Sequence, residues 1–251
     1  MRAAGSVNGT GRGVPVGCVG KIHLPRGCRL SHIPPPVPLD LALSIRQSRL
    51  SAMQCRLGEA LAGRDASVTL EIGCGHGHFL TAYAAAHPEE TCLAVDLVSD
   101  RIERAQRKTD RAGLGNVTWI HGEAALLLEA LPAEVRLGRV FVLFSDPWPK
   151  RRHWKNRVIQ LDFLSQLAAR AGEGAELCFR TDHADYFAWA RRRLELHPCW
   201  VLDEAAAWPF ESESVFQQRA EGSYQSLVAR RVPGPVPAAG SLPEPEPTAA
   251  D

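Results

Sequence analysis

The segment Glu71-Ile72-Gly73-Cys74-Gly75-His76-Gly77 carries the clearest chemical signal in the chain. Glycines at alternate positions let a backbone turn tightly and approach a ligand without a side chain in the way. A dinucleotide-binding turn would read Gly-x-Gly-x-x-Gly and hold a pyrophosphate on a helix N-terminus. Position 78 is His78, so that spacing is not met. Glu71, immediately upstream, would repel a pyrophosphate but would accept hydrogen bonds from a cationic or amino-bearing ligand. S-adenosylmethionine carries a sulfonium and an ammonium and no phosphate, and it suits Gly73 and Gly75 beside such an acid. Asp96, after the next apolar run, is placed to accept both hydroxyls of a ribose. Glu123, after the third run, is placed to receive an adenine amino group. His76 and His78 read as loop and helix-start residues.

The second segment runs from Phe144 through Asp146-Pro147-Trp148-Pro149-Lys150 to Arg157. Asp146 follows the most apolar run of the chain and is expected to point into a cleft. Pro147 and Pro149 stiffen the backbone around it by fixing their own torsions. Lys150, Arg151, Arg152, Lys155 and Arg157 follow, interleaved with His153 and Trp154. Cations mixed with aromatic rings form a phosphate-binding edge that also stacks on bases. Arg191-Arg192-Arg193 lies inside a helical pattern and reads as a solvated face.

These residues need a scaffold, and the pattern of apolar runs supplies one. Short strands are predicted at Val68–Ile72, Cys92–Val95, Val117–Ile120, Val140–Phe144, Glu176–Arg180, Trp200–Leu202 and Tyr224–Ala229. Helices are predicted over Phe79–Ala86, Ser99–Ala112, Ala124–Leu131, Val158–Ala171 and residues 184–196. Strands alternating with helices imply an α/β, doubly wound, mostly parallel seven-stranded sheet with helices on both faces. Such sheets bind ligands beyond the carboxyl ends of their strands. Glu71, Asp96, Glu123 and Asp146 all fall there.

The 251 residues carry a formal net charge of +1, so any attraction for nucleic acid must be local. Residues 1–38 are rich in Gly and Pro, basic and free of acids, and read as a disordered arm. Residues 39–231 form the folded domain, and 232–251, rich in Pro, Ala and Glu, read as a disordered tail. No run approaches the length of a membrane helix, and no apolar signal core opens the chain. A cytoplasmic enzyme is expected. The seven cysteines include no Cys-x-x-Cys pair, and Cys18, His23, Cys28 and His32 match no common zinc spacing. No metal is expected.

Glu71–Gly77, Asp146-Pro147-Trp148-Pro149-Lys150 and Thr181-Asp182 together resemble the bacterial tRNA (guanine-N7-)-methyltransferases over roughly residues 65 to 231. The resemblance implies a class I methyltransferase (Rossmann-like) sheet that uses S-adenosylmethionine to make 7-methylguanosine in the variable loop of tRNA. It also implies that no second protein type is required, the enzyme being a monomer or a homodimer. Glu71, Gly73, Gly75, Asp96, Glu123 and Asp146 would line the cofactor pocket, and Asp146 would be catalytic. Lys150 and Asp182 would contact substrate. The family's late Thr-x-Phe-Glu segment is matched by Ser214-Val215-Phe216-Gln217, which implies substrate contacts from Ser214, Phe216 and Gln217. Gln217 replaces a charged acceptor with a neutral one, which weakens that hydrogen bond.

Other classes remain open from the residues. A methyltransferase for a different RNA base, a protein or a small molecule is the nearest. A nicotinamide-dependent oxidoreductase is disfavoured by the glycine spacing, and a non-catalytic RNA-binding module by the intact acids.

Overall fold

The computed structural model describes residues 38–212 and 223–245. A helix, α1 (Leu39–Leu61), precedes the first strand and was not anticipated. Only its second half is buried, through Leu50, Met53, Leu57 and Leu61 on one face, while Leu39, Leu41, Leu43 and Ile45 remain in solvent.

Alternation then sets in: β1 (Ser67–Ile72), α2 (His78–Ala86), β2 (Thr91–Asp96), α3 (Ser99–Ala112), β3 (Val117–His121), α4 (Ala124–Ala130) and β4 (Arg136–Leu143). A 3-10 turn (Arg151–Asn156) follows, then α5 (Leu161–Arg170), β5 (Ala171–Thr181), α6 (Ala184–Leu196), β6 (Trp200–Leu202) and β7 (Gln225–Arg231).

Among the described residues the strands form one seven-stranded sheet in the order β3-β2-β1-β4-β5-β7-β6. The first five are parallel, and β7 runs antiparallel to both β5 and β6. The chain reverses its direction of growth between β1 and β4, the place where such sheets open a ligand crevice. The expected doubly wound architecture is therefore the one observed.

The central strands are buried on both faces, which explains their near-continuous apolar sequences. Along β1, Val68, Leu70 and Ile72 join the core under α1, α4, α5 and α6. Successive strand residues point to opposite faces, so Thr69 and Glu71 point to the α2–α3 side, where Phe79, Tyr83, Trp119 and Phe141 make the second core. That alternation is what carries a glutamate into the interior.

Several boundaries moved. The helix read from Val158 starts at Leu161, β4 begins at Arg136 rather than Val140, β5 begins at Ala171 rather than Glu176, and the last strand ends at Arg231 rather than Ala229. Composition also understates the order after β7. Residues 232–245 run back along α5 and α6, where the Gly240 amide donates to Asp162 Oδ1 at 2.7 Å, Cys199 Sγ donates to the Pro235 carbonyl at 3.4 Å, and Glu244 pairs with Arg193. No helix among the described residues is long and apolar enough to cross a membrane. Cys18, His23, Cys28 and His32 lie outside the described residues.

Candidate active site

β1 and β2 end side by side, with Ile72 opposite Val95. The amides of Gly73 and Cys74 both donate to the Val95 carbonyl, at 2.8 and 3.3 Å, folding the glycine turn over the strand ends. Gly73 (φ 74°) and Gly75 (φ 54°) occupy the left-handed region that side chains resist, and a Cβ on either would meet open space. The turn is therefore uncovered at both positions. Gly77 differs. It is also left-handed, but a Cβ there would fall 2.4 Å from Trp119 Cη2 and 2.6 Å from Ala105 Cβ. The third glycine lets the start of α2 pack against α3 and against Trp119 of β3.

The acids at the ends of β1, β2 and β3 sit at different depths. Glu71 is 4% exposed, and its Oε2 has no hydrogen-bond partner. Burial pushes its pKa up to about 8, with the neighbouring Asp96 charge adding to the rise and a backbone hydrogen bond at Leu80 opposing it. Lys108 in α3 donates to the His76 carbonyl at 2.8 Å and acts electrostatically on Glu71 from the rim.

Asp96 is 6% exposed and fully engaged with the backbone. Its Oδ2 accepts the Gly75 amide and its Oδ1 the Val98 amide, both at 2.9 Å, and Arg101 lies 3.7 Å away. Each oxygen keeps a second acceptor direction for a hydroxyl. Glu123 stands at the end of β3 as predicted. There it is 57% exposed and ion-paired with Arg49 of α1 at 3.0 Å, a helix the sequence reading did not include. Leu97, 68% exposed directly after Asp96, was also missed and offers an apolar surface at the strand end.

β4 leaves the sheet beside β1, Val142 opposite Ile72, so the Asp146 loop departs next to the glycine turn. Asp146 itself is solvent-exposed. Phe144 (φ 48°) and Trp148 (φ 46°) bracket it in left-handed conformations that cost non-glycine residues about 1–3 kcal/mol each. The loop is held from two sides. The Phe144 amide donates to the Arg180 carbonyl of β5 at 2.8 Å. Arg157 Nε donates to the Pro147 carbonyl at 2.7 Å.

Arg157 requires a correction to the reading of the basic run. It is buried, with its guanidinium 4.8 Å from the Trp154 ring, 4.7 Å from Trp189 and 5.2 Å from Tyr186. An arginine enclosed by three aromatic faces fastens a loop and is not available to a phosphate. Lys150, Arg151, Arg152 and Lys155 do face solvent. Arg193 departs from expectation in the same way: it is buried over Trp189 at 3.2 Å instead of lying on a solvated face.

At the end of β5, Asp182 is exposed while Thr181 is buried and accepts the His183 amide at 3.2 Å. Ser214, Phe216 and Gln217 lie outside the described residues. Among the described residues no group of three His, Cys, Asp or Glu side chains could hold a metal.

A glycine turn that follows a buried acid, at the switch point of a 3-2-1-4-5-7-6 sheet, defines a Rossmann-like methyltransferase. The family model described as "Putative methyltransferase" matches residues 65–225. A tRNA (guanine-N(7)-)-methyltransferase of Azorhizobium caulinodans is 34% identical over 168 residues, covering 66% of this chain and 72% of the relative. Its namesake in Magnetococcus marinus is 37% identical over 149 residues, covering 59% of this chain and 58% of the relative. The namesake in Thermus thermophilus is 36% identical over 135 residues, covering 54% and 43%. The chain thus spans about half the length of the last two. In fold it is similar to the 16S rRNA methyltransferase KamB, with a TM-score of 0.51 at 18% identity over 70% of this chain and 92% of that one. The chain belongs to the tRNA (guanine-N(7)-)-methyltransferase family.

Proposed function

We propose that this protein transfers a methyl group from S-adenosylmethionine to N7 of a guanosine in the variable loop of tRNA, giving 7-methylguanosine, and that it does so in the cytoplasm as a monomer or homodimer. The observation that carries the reading is the buried Glu71 carboxyl group, its Oε2 without a hydrogen-bond partner, beside the open turn of Gly73 and Gly75. An orphaned acceptor in a dry site is costly unless a donor arrives, and an ammonium is the donor of matching charge. Asp96 supplies two fixed acceptor directions for ribose hydroxyls, and Leu97 an apolar surface for a purine ring. Glu123, on the rim, reaches the adenine edge once it leaves Arg49. The residues present fit S-adenosylmethionine.

When bound, the cofactor would supply an electrophilic methyl group and a sulfonium leaving group. Guanine N7 already holds a lone pair and carries no proton, so no strong general base is needed. The protein's task is alignment, which is worth much of a barrier when reacting atoms are held at near-attack distance. Asp146 accepts hydrogen bonds from the guanine Watson–Crick edge and stabilises the positive charge that develops on the ring. The left-handed Phe144 and Trp148 hold it ready, without reorganisation at the moment of reaction. Lys150, Arg151, Arg152 and Lys155 grip the polynucleotide beside the crevice. Asp182 and the segment of Ser214, Phe216 and Gln217 complete the substrate contacts.

Incubating the protein with unmodified tRNA and isotope-labelled S-adenosylmethionine, then mapping the labelled nucleosides by mass, tests the proposal. Label is expected in 7-methylguanosine of the variable loop. Label in another nucleoside, or none, overturns it.

A further inference from the structure

The cations of α3 are used in different ways. Arg104 pairs with Asp100 at 3.0 Å and Arg107 with Glu103 at 3.8 Å, each one turn back along the helix. Arg111 Nε donates to the Arg107 carbonyl at 3.0 Å, and Arg101 faces Asp96 at 3.7 Å. Lys108 reaches off the helix. Its Nζ donates to the His76 carbonyl at 2.8 Å, inside the glycine turn and 32 residues earlier in the chain.

Helical spacing explains the reach, since residues three or four apart share a face. Ala105, Lys108 and Thr109 lie on the face of α3 that meets the turn and Trp119. A Cβ at Gly77 would fall 2.6 Å from Ala105 Cβ, and Thr109 Oγ1 accepts the Trp119 indole N–H at 3.0 Å. The turn is thus pressed on α3 at Gly77 and hydrogen-bonded to it at His76. Its other attachments are to the strand ends, where Gly73 and Cys74 donate to Val95 and Gly75 to Asp96. Between them Gly73 and Gly75 stay uncovered. Lys108 is half-buried. Burial and Arg111 lower its pKa, and Glu71 opposes that fall, so the two side chains lie in each other's field.

We propose that Lys108 is a positioning residue for the amino-acid end of the cofactor: by pinning the His76 carbonyl to α3 it fixes the glycine turn beside Glu71. The proposal rests on the S-adenosylmethionine reading above. The charge of Lys108 adds a second consequence. An ammonium needs Glu71 as a carboxylate. Burial and the charge of Asp96 oppose that form, while the Leu80 backbone and Lys108 favour it. The thiols of Cys74 and Cys92 also lie in the field of Glu71, and His78 in that of Lys108 and His76. Loss of Lys108 therefore loosens the turn and makes Glu71 harder to ionise, whereas a residue that merely held α3 in place would do neither selectively.

The test is calorimetry from pH 6 to 8.5 on the native chain, Lys108→Met, Lys108→Arg and Glu71→Gln, with amide exchange over residues 71–80. The probes are adenosylhomocysteine and 5′-methylthioadenosine, which lacks the amino-acid end. At pH 7 Lys108→Met should bind adenosylhomocysteine up to about tenfold more weakly, the scale of one lost charge-assisted hydrogen bond. Its affinity for methylthioadenosine should stay within about twofold, at full stoichiometry, and exchange in the turn should quicken. Native affinity for adenosylhomocysteine should climb as pH rises towards 8, where Glu71 ionises in the free protein. That climb should move to higher pH in Lys108→Met and vanish in Glu71→Gln. Lys108→Arg keeps a cation and its N–H donors, so it should restore the pH profile and part of the affinity. Native affinity in Lys108→Met, equal losses for the two probes, or a pH profile left in place overturns the proposal. A native protein that binds neither probe refutes the cofactor reading instead. The exchange data then decide the pin by themselves, since unaltered protection of the turn in Lys108→Met excludes it.

Discussion

Replacing Glu71 by glutamine should remove a pH dependence of stability that the native protein carries. In the fold, burial holds this carboxyl's pKa at about 8, against an ordinary 4.5. Between those values the folded state keeps a proton that the unfolded chain has released. Stability must therefore fall as pH rises through that window and level off above it. At about 1.4 kcal/mol per pH unit the loss amounts to about 5 kcal/mol by pH 8, a large share of a domain's typical stability. The amide in Glu71→Gln preserves the shape of the side chain and cannot ionise. The difference in unfolding free energy between variant and native should be near zero at pH 5 and favour the variant by several kcal/mol at pH 8. Urea titrations of both proteins at half-unit intervals from pH 5 to 8.5 read it. Taking the difference also cancels other titrating groups, His197 among them. Differences that stay constant across the range would refute the reasoning. A cationic ligand gives a second reading: an ammonium beside Glu71 favours the carboxylate, so cofactor binding near pH 7 should release a proton. Calorimetry in buffers of different ionisation enthalpy detects that release, and the glutamine variant should not show it.

The other predictions address separate parts of the molecule. Asp146→Ala should lower kcat on tRNA by about a hundredfold or more while keeping adenosylhomocysteine affinity within a modest factor, because the residue is exposed on a loop separate from the glycine turn; near-native turnover sinks its role. Gly77→Ala should cost about 3 kcal/mol in urea unfolding, since its Cβ must displace Trp119 or Ala105. Gly73→Ala, strained but uncrowded, should cost about 1 kcal/mol and mainly weaken cofactor binding. Removing Arg151, Arg152 and Lys155 together should reduce the slope of log affinity for tRNA against log salt by about 2, whereas Arg157→Ala should destabilise the fold and leave that slope alone. His197 is buried, with its pKa lowered to about 4, and its Nε2 lies 3.0 Å from Ser165 Oγ. The unfolded chain takes up that proton first, so stability should fall as pH drops from 6.5 towards 4, and His197→Gln should flatten the slope.

Sequence carried the sheet far because its strands are buried on both faces and so read as apolar runs between turn signals. It carried α1 poorly. Leu50, Met53, Leu57 and Leu61 have helical spacing, but the first half of that helix exposes Leu39, Leu41, Leu43 and Ile45, which blurs the stripe. The acids at the strand ends were legible because topology alone puts them there. Their separate states were not. Whether a glutamate is orphaned, as Glu71 is, or paired, as Glu123 is with Arg49, depends on elements remote in sequence. Arginines were the most misleading residues. Arg157 and Arg193 look like surface cations and are buried against aromatic rings. The only local hint was spacing: Trp154 is three residues from Arg157, and Trp189 four from Arg193.

The burial of those cations bears on how a nearly neutral protein holds a polyanion. Arg157, Arg180 and Arg193 are taken out of the electrostatic field and used as rigid pins, the first on Pro147, the second on Glu211 and Ser226, the third on Glu244. A pinned guanidinium does not steer a polynucleotide, but it fixes loops whose own conformations are strained. The exposed cations beside the crevice then supply attraction that need not be specific, since phosphate contacts orient a nucleic acid without reading its sequence. On the function proposed above, selectivity for one guanosine falls to Asp146, braced between two left-handed residues. The same division accounts for the acids. In that proposal Glu71, dry and with Oε2 unpartnered, discriminates by charge; Asp96, tied to two amides, discriminates by direction; and Asp146, exposed on a braced loop, meets the larger partner.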